Sequence, residues 1–319
     1  MSTSGWTSAD ITDQRGRIAV VTGANSGVGF EAARMLAERG ARVVLACRSL
    51  DKAAVACDAI RATAPDAELH TVRLDLADAK SVREAAATIR GEYDQIDLLI
   101  NNAGAAFGTL TLIDGVDQTF VTNQLGPFAF TGLLLSRVVA APTGRVVTVS
   151  SGSHEMGRLD LDDLAFANRR YGRWRAYAQS KLANLLFAFE LQRRLAAAQE
   201  KTISVAAHPG ASATEFGRNS GGLTRVLSAP PQRWLLAPLA NTAAVGALPI
   251  LRAAVDPDVH GGEFYGPGGF RGMKGLPQRA QPAAVAQDAA ASALLWEKCE
   301  QLTGVCYPPQ GPDEGTVAP

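Results

Sequence analysis

The chain has 319 residues, of which 47% are hydrophobic and 19% are charged. This length allows one large α/β domain or two small ones, with a substantial core. Lys plus Arg and Asp plus Glu both number 31, so no bulk electrostatic field recruits nucleic acid or an anionic membrane. The N-terminus lacks the pattern of a signal peptide, and the apolar runs are shorter than the ~18 residues of a membrane span. We therefore expect a cytoplasmic protein with no membrane span and no nucleic-acid partner.

The four cysteines, Cys47, Cys57, Cys299 and Cys306, form no CxxC pair and lie near no histidine cluster. This spacing disfavours a zinc site and a redox disulfide. We expect reduced thiols that pack in the core, and no bound metal.

The first long apolar run is followed by a glycine-rich turn. Residues 18–22, IAVVT, are apolar and β-branched, as in a strand buried on both faces. Gly23, Gly27 and Gly29 follow, and residues 30–39 have the spacing of a helix that ends at a glycine. Glycines let the backbone approach a bulky ligand, and the free N–H groups of a helix start attract phosphate. The unit predicts a phosphate-binding turn, although a tight turn without a ligand can have the same pattern.

Strand-like and helical segments then alternate along the chain. The predicted strands after the first cover residues 41–47, 68–74, 96–100, 145–149, 203–207 and 263–265. The predicted helices between them cover residues 52–63, 79–90, 115–140, 177–199 and 242–254. Such alternation implies parallel strands joined by right-handed crossovers. We predict an α/β protein with a single-domain Rossmann fold, a doubly wound parallel sheet with helices on both faces.

The predicted domain covers residues 15–303. Residues 1–14 and 304–319 are polar or rich in proline and glycine, and we expect flexible tails there. Residues 211–238 carry several glycines and prolines after a predicted strand. They are predicted to form a lid over the substrate, with an ordinary surface loop as the alternative.

Ligands of a doubly wound sheet bind beyond the carboxyl ends of its strands. Six polar or glycine-rich sequences lie at these ends, and they are TGANSGVG, Arg48, Asp75, NNAG at 101–104, the serine pair at 150–151 and HPG at 208–210. One such sequence could arise by chance, but six at one edge predict a site.

Tyr177 and Lys181, in YAQSK, lie four residues apart on a predicted helix and therefore share one face. A phenol has a pKa near 10, too high for acid/base work at neutral pH. An ammonium one turn away favours the phenolate and lowers that pKa. The pair therefore predicts proton transfer by Tyr177, although a surface Tyr and Lys often have this spacing.

TGANSGVG, NNAG, the serine pair, YAQSK and HPG occur in an order and spacing that resemble the short-chain dehydrogenase/reductase superfamily. The resemblance covers roughly residues 15–270. It implies a nicotinamide cofactor and hydride transfer at a carbonyl or alcohol carbon. The insertion LDLDDLAFANRRYGRWRA and the segments LACRS, SKLANLLF and GGEFYGPGG are similar to the retinol dehydrogenase branch and its bacterial relatives. That branch acts on lipophilic aldehydes, ketones and alcohols.

The resemblance also implies roles for single residues. Tyr177 is the general acid/base, and Lys181 holds the nicotinamide ribose. Ser151 orients the substrate, with Ser150 as its neighbour, and Asn123 supports a water relay to the lysine. The cofactor-binding residues that the resemblance implies are Gly23, Asn25, Ser26, Gly27, Val28, Gly29, Arg48, Ser49, Asp75, Leu76, Asn102, Ala103, Gly104, Tyr177, Lys181, Pro209, Gly210 and, at the carboxamide, Thr214.

The residue after the second strand indicates which cofactor is bound. An enzyme specific for NAD places an acidic residue there for the ribose hydroxyls. This chain has Arg48, followed by Ser49, and its nearest acid is Asp51. A guanidinium pairs with a 2′-phosphate, so we predict NADP(H) over NAD(H). The alternatives are that Arg48 only faces solvent and that Asp75, the expected adenine contact, only caps a turn.

The sequence also allows other interpretations of nearby residues and of the fold. Tyr171 also begins a YxxxR pattern, but Arg175 cannot replace a lysine in a proton relay. His154 follows Ser151 closely, but the serine lacks the G-x-S-x-G elbow of a hydrolase, so we expect only a polar loop residue. A Rossmann-fold scaffold that only senses nucleotides would be expected to lose the Tyr, Lys or Ser. A methyltransferase would give YAQSK and NNAG no role.

The predicted helices over residues 115–140 and 177–199 are apolar on more than one face. Family members often form dimers or tetramers through these helices, which favours a homodimer or homotetramer, although the sheet alone could cover them. An apolar substrate pocket has five candidate lining residues, which are Phe107, Trp174, Phe216, Trp234 and Leu235. They could equally pack in the core or the lid.

Overall fold

The computed structural model describes residues 5–210, 241–269 and 272–307. Its strands are β1 (Ile18–Thr22), β2 (Arg42–Cys47), β3 (Leu69–Arg73), β4 (Leu98–Asn101), β5 (Leu112–Ile113), β6 (Val116–Asp117), β7 (Arg145–Val149), β8 (Ile203–Ala207), β9 (Phe264–Pro267) and β10 (Pro277–Arg279). Its helices are α1 (Gly27–Glu38), α2 (Leu50–Arg61), α3 (Ala79–Glu92), α4 (Gln118–Phe120), α5 (Gly126–Val139), α6 (Arg173–Ala197), α7 (Ala243–Val255) and α8 (Ala289–Thr303). The predicted lid at 211–238, with Thr214, Phe216, Trp234 and Leu235, lies outside the described residues.

Eight strands form one sheet in the order β10-β9-β8-β7-β4-β1-β2-β3. Every neighbouring pair is parallel except β9 and β10. The strand order reverses beside β1, which pairs with β2 on one side and with β4 on the other. This arrangement confirms the predicted doubly wound Rossmann sheet. The carboxyl end of β1 is the place where such a sheet binds its ligand.

Helices cover both faces of the sheet. On one face α1, α2 and α7 bury apolar side chains such as Leu36, Ile60 and Leu251. On the other face α3, α5 and α6 bury a larger cluster that includes Phe128 and Leu186. The sequence pattern therefore predicts the layers correctly, because parallel strands with crossover helices must be covered on both sides.

α8 covers the apolar faces of α5 and α6 within the same chain. Trp296 of α8 is 1% exposed, and its ring stacks on Phe187 of α6 with centroids 5.8 Å apart. The same ring meets Phe128 of α5 edge-on at 5.1 Å. These faces are thus buried without a second copy of the chain, so they no longer argue for a subunit interface. The homo-oligomer stays a prediction.

Both ends of the described chain pack against the domain. Thr7 caps a short 3₁₀ turn at Ser8–Asp10, and Ile11 is only 2% exposed. At the other end the Tyr307 hydroxyl donates to the Phe128 carbonyl at 2.7 Å. The sequence predicts flexible tails at 1–14 and 304–319, and within them residues 7–14 and 304–307 contact the domain in this way. Single buried side chains, such as Ile11 and Tyr307, hold these segments on the domain. The polar composition of the segments does not reveal such isolated contacts.

The predicted helix over 115–140 begins later than expected. β5 and β6 pair as a hairpin, with Asp114 and Gly115 in the left-handed region at φ values of 49° and 79°. An Asp-Gly pair favours this type of turn. The helical segment starts at Gln118, where the Asp117 side chain accepts a hydrogen bond from the Phe120 N–H at 3.2 Å. α6 starts earlier than predicted, at Arg173.

Candidate active site

The turn after β1 is held tightly against the end of β4. Gly23 and Gly27 have φ values of 66° and 62°, in the region that favours glycine. A Cβ on Gly29 would lie 2.3 Å from Asn102 Nδ2 and 2.7 Å from the Gly23 oxygen. Asn102 Nδ2 in turn donates to the Thr22 carbonyl at 2.9 Å. The turn therefore presents main chain rather than side chains at the start of α1, which fits the phosphates of a dinucleotide.

A cleft of about 430 Å³ extends along the carboxyl edge of the sheet from this turn to α6. The predicted site residues that line it are Gly23, Asn25, Ser26, Gly27, Val28, Gly29, Arg48, Ser49, Asp75, Leu76, Asn102, Ala103, Gly104, Tyr177, Lys181 and Pro209. Gly210 follows directly, with a φ of 75°. Ser151 and Asn123 are not lining residues.

Tyr177 and Lys181 lie on one face of α6, and both are buried. Lys181 Nζ lies 5.6 Å from the centroid of the Tyr177 ring and donates to the Val149 carbonyl at 2.9 Å. The Trp174 ring meets the Tyr177 ring edge-on at 6.0 Å. A cation this close to a phenol favours the phenolate. The pair can therefore give a proton to, or take one from, a ligand in the cleft.

The two adjacent serines have different hydrogen bonds. The Ser150 hydroxyl donates to the Lys181 carbonyl at 2.7 Å, and this residue lines the cleft. Ser151 caps the 3₁₀ turn Gly152–Met156: its hydroxyl accepts from the Ser153 N–H at 3.2 Å and donates to Ser153 Oγ at 3.3 Å. The Ser150 proton is committed to a short bond, whereas that of Ser151 makes a long one. The Ser151 hydroxyl is therefore held less tightly by the protein than that of Ser150.

Asn123 lies in a π-helical turn, Val121–Leu125, in which the Gly126 N–H donates to the Val121 carbonyl. Its Oδ1 accepts from the Ala105 N–H, and its Nδ2 donates to the Ala105 carbonyl, both at 2.8 Å. Nδ2 also donates to Ser180 Oγ at 2.9 Å. The side chain therefore fixes the loop after NNAG against α6. π turns are frequent at functional sites, but no residue pattern in this sequence predicts one.

Two cations, Arg48 and Lys52, line the cleft after β2. Ser49 caps α2 by accepting from the Lys52 N–H at 3.4 Å. After β3, Asp75 accepts from the Ala77 N–H at 3.0 Å, so it caps a turn and also borders the cleft. Both interpretations of Asp75 from the sequence are therefore compatible with its position.

Lys52, Thr122 and Arg173 also line the cleft, and none of them is among the site residues predicted from the sequence. Arg173 lies four residues before Tyr177 on α6, so the helical spacing that joins Tyr177 to Lys181 could have found it. Phe107 and Trp174, both proposed from the sequence, do line the cleft.

Comparison with known proteins identifies this architecture. A family model described as short chain dehydrogenase matches residues 17–221. The chain belongs to this family. It is 38% identical over 298 residues to human retinol dehydrogenase 13, covering 92% of this chain and 86% of the relative. It is 40% identical over 242 residues to human retinol dehydrogenase 12, covering 75% and 73%.

A crystal structure of a protein from Mycobacterium paratuberculosis resembles this dehydrogenase along most of its length. The two are 40% identical, with a TM-score of 0.78, and the match covers 96% of this chain and 100% of that one. These relatives place the chain in the retinol dehydrogenase-like branch, as the sequence motifs predict. Among the residues that the structure describes, no helix is long and apolar enough to cross a bilayer.

Tyr171 and His154, for which the sequence offers no catalytic role, have structural roles. The Tyr171 hydroxyl donates to the Phe107 carbonyl at 2.9 Å and so ties the insertion to the wall of the cleft. His154 is buried, not a polar loop residue as expected. Its Nδ1 lies 2.7 Å from the Ser151 carbonyl, and its Nε2 accepts from the Ala283 N–H at 3.2 Å. It therefore does not contact the Ser151 hydroxyl, as a hydrolase would require.

His208 is a second buried histidine, and its titration should make the stability of the protein depend on pH. Burial lowers the pKa of His208 to about 4, and His154 adds to the effect. The unfolded chain takes up this proton near pH 6.5, before the folded protein does. The free energy of unfolding should therefore fall as the pH falls from about 6.5 to about 4, by up to ~3 kcal/mol from this group.

Urea denaturation at several pH values measures this effect. The His208→Gln variant should lose less stability than the wild type over the same interval. Equal slopes in the two proteins would show that His208 does not titrate in this way.

Proposed function

We propose that this protein is an NADP(H)-dependent oxidoreductase that acts on a carbonyl or alcohol carbon of a lipophilic small molecule. The observation that carries the proposal is the Tyr177–Lys181 pair in the wall of the cleft that begins at the glycine turn. Membership of the short chain dehydrogenase family supports an oxidoreductase with a nicotinamide cofactor. We retain the cytoplasm as the predicted location.

The nicotinamide, when bound, supplies or accepts a hydride at the substrate carbon. Tyr177 would give a proton to the substrate oxygen in reduction and take it back in oxidation. Lys181 would hold the cofactor ribose and stabilise the phenolate. Ser151 would donate a hydrogen bond to the substrate oxygen, and a preorganised donor of this kind is worth ~3 kcal/mol.

The remaining residues would hold the cofactor. The glycine turn, with Asn25, Ser26 and Val28, would hold its phosphates at the start of α1. Asp75 and Leu76 would border the adenine, and Asn102–Gly104 with Pro209 and Gly210 would complete the nicotinamide end. Thr214, outside the described residues, stays the sequence-based prediction for the carboxamide contact. Asn123 would keep the loop after NNAG in place through its two bonds to Ala105.

The preference for NADP(H) is supported by Arg48 and Lys52, two exposed cations that line the cleft after β2. A guanidinium can pair with the 2′-phosphate that only NADP(H) carries. We expect the wild type to bind NADPH more tightly than NADH. Arg48→Ala should weaken NADPH binding about tenfold or more and leave NADH binding unchanged, since a hydrogen bond between charged groups is worth roughly 1.5–3 kcal/mol.

Nicotinamide fluorescence during titration with each cofactor measures this preference. Arg61→Ala is the matched control, because it removes an arginine from the far end of α2. Equal affinities of the wild type for the two cofactors would contradict a phosphate-reading role of Arg48.

The proposed substrate class has two supports. Phe107 and Trp174 line the cleft beside Tyr177, and relatives of this chain are named for retinol, which is a lipophilic alcohol. The test is oxidation of NADPH with a panel of lipophilic aldehydes and ketones. NADPH binding without turnover of any of them would instead support the scaffold that only senses nucleotides.

A further inference from the structure

Asn184 is a buried amide that contacts the lysine of the proposed catalytic pair. It follows Tyr177 and Lys181 on the same face of α6 and is 2% exposed. Its Oδ1 accepts from Lys181 Nζ at 3.2 Å. Its Nδ2 donates to the Asn123 carbonyl at 2.7 Å and to Gln124 Oε1 at 3.0 Å. One side chain thus joins the lysine to the π-helical turn.

The chemistry of these partners fixes the orientation of the amide. An ammonium can only donate, so it must meet the amide oxygen. The Asn123 main-chain carbonyl can only accept, so it must meet the amide nitrogen. Gln124 completes the network, because its own nitrogen approaches the Cys299 sulfur at 3.7 Å and leaves its oxygen for Asn184.

The contacts of Asn123 show why a further residue is needed. Its side chain already bonds both main-chain groups of Ala105 as well as Ser180. The Val149 carbonyl and Asn184 Oδ1 are neutral acceptors of the Lys181 ammonium. Each of these bonds stabilises the charged form of a buried amine, which burial alone would disfavour.

We propose that Asn184 is a positioning residue that holds the Lys181 ammonium in place beside Tyr177. Its amide connects that ammonium to the Asn123 carbonyl. The inference deepens the proposed function and rests on it, since Tyr177 acts through Lys181 there. An amide that accepts from Lys181 and donates to Asn123 keeps its own two protons, so it orients the lysine and does not pass a proton along the chain.

Asn184→Leu tests this role, because leucine keeps the branching of asparagine at Cγ and removes all three hydrogen bonds. The phenolate of Tyr177 should become harder to form, since the ammonium that stabilises it loses an acceptor. We expect the ionisation of Tyr177 to move upward by about one pH unit, a tenfold change in its ionisation constant. Asn184→Asp should also move it upward, because the new carboxylate opposes the charge of Lys181.

The ultraviolet absorbance of tyrosinate reports this ionisation without any cofactor or substrate. Burial raises the pKa of the four other tyrosines, which are Tyr93, Tyr171, Tyr265 and Tyr307. The tyrosinate signal that disappears in Tyr177→Phe is the one assigned to Tyr177. The other charged groups that line the same cleft are Arg48, Lys52, Asp75 and Arg173. His154 contacts the Ser151 carbonyl and Cys299 contacts Gln124, and neither substitution removes any of these groups.

Gln192→Leu is the matched control. It removes an amide from the same helix, where Gln192 Oε1 accepts from the Ser204 N–H at 2.8 Å, two turns beyond Asn184. It should lower stability and leave the Tyr177 titration unchanged. An unshifted titration in both Asn184 variants would overturn the proposal, as would an equal shift in Gln192→Leu.

The pH profile of kcat/KM for alcohol oxidation gives a second measurement. The limb that rises with pH should move upward in Asn184→Leu by the same amount as the titration. If the wild type has no turnover while the titration still shifts, the proposed function fails and the role of Asn184 stands. If the wild type turns over and neither measurement shifts, the role of Asn184 alone fails.

Discussion

Replacing Tyr177 by phenylalanine is expected to lower kcat about a thousandfold or more, because the substitution removes the only group that we place at the reacting proton. The ring would remain, with its edge contact to Trp174 at 6.0 Å and its position 5.6 Å from Lys181 Nζ. Cofactor binding should therefore change little. Steady-state kinetics and NADPH fluorescence titration, made on the same preparation, separate the two effects.

Tyr171→Phe provides the control for this experiment. It also removes one phenolic hydroxyl, which in the wild type donates to the Phe107 carbonyl. Tyr171 is the tyrosine of the YxxxR pattern, which has an arginine in place of the lysine. The variant should keep the acid/base chemistry of the wild type. Turnover that survives in Tyr177→Phe, or that disappears equally in Tyr171→Phe, would show that the proton comes from elsewhere.

Gly29→Ala should abolish NADPH binding. The new Cβ would lie 2.3 Å from Asn102 Nδ2 and 2.7 Å from the Gly23 oxygen, so either the turn or the end of β4 must move. A main-chain oxygen cannot yield without displacing the turn that would hold the phosphates. We also expect a loss of stability of roughly 1–3 kcal/mol, as for other overpacked sites.

Chemical denaturation and NADPH titration measure the two consequences. Gly91→Ala is the control, since a Cβ at that position in α3 would meet nothing within 4 Å. Alanine is the better helix former, so this variant should bind NADPH normally and gain up to about 1 kcal/mol of stability. Normal NADPH binding by Gly29→Ala would contradict the assignment of the turn to the cofactor.

The sequence predicted the sheet well because its strands are short apolar runs that alternate with amphipathic helices. β1 shows this most clearly, since IAVVT is buried almost throughout and glycine marks its end. The hairpin at β5 and β6 was missed although Asp114 and Gly115 are a strong turn signal. Apolar residues after the turn continue the helical pattern of α5 toward the N-terminus. For this reason the sequence predicts a helix from residue 115, where the structure has the end of the turn and the second strand of the hairpin.

Most of the predicted cofactor residues line one cleft because their motifs lie at strand ends, and parallel strands bring those ends to a single edge. The network behind the cleft could not be predicted in the same way. Asn184 stands in an apolar stretch, SKLANLLF, and its contacts depend on a π-helical turn more than fifty residues earlier. Local spacing carries no information about such a pairing. Ile11 and Tyr307 were missed for the same reason.

The packing of α8 also has a consequence for the order of synthesis. The bond between Tyr307 and Phe128 joins residues 179 positions apart. During translation, α5 and α6 leave the ribosome before Trp296 exists to cover Phe128 and Phe187. At a translation rate of about 5–20 residues per second, this aromatic face stays exposed to solvent for on the order of ten seconds. The nascent chain therefore exposes a hydrophobic patch to chaperones until α8 is synthesised, and a chain terminated before α8 would keep that patch exposed.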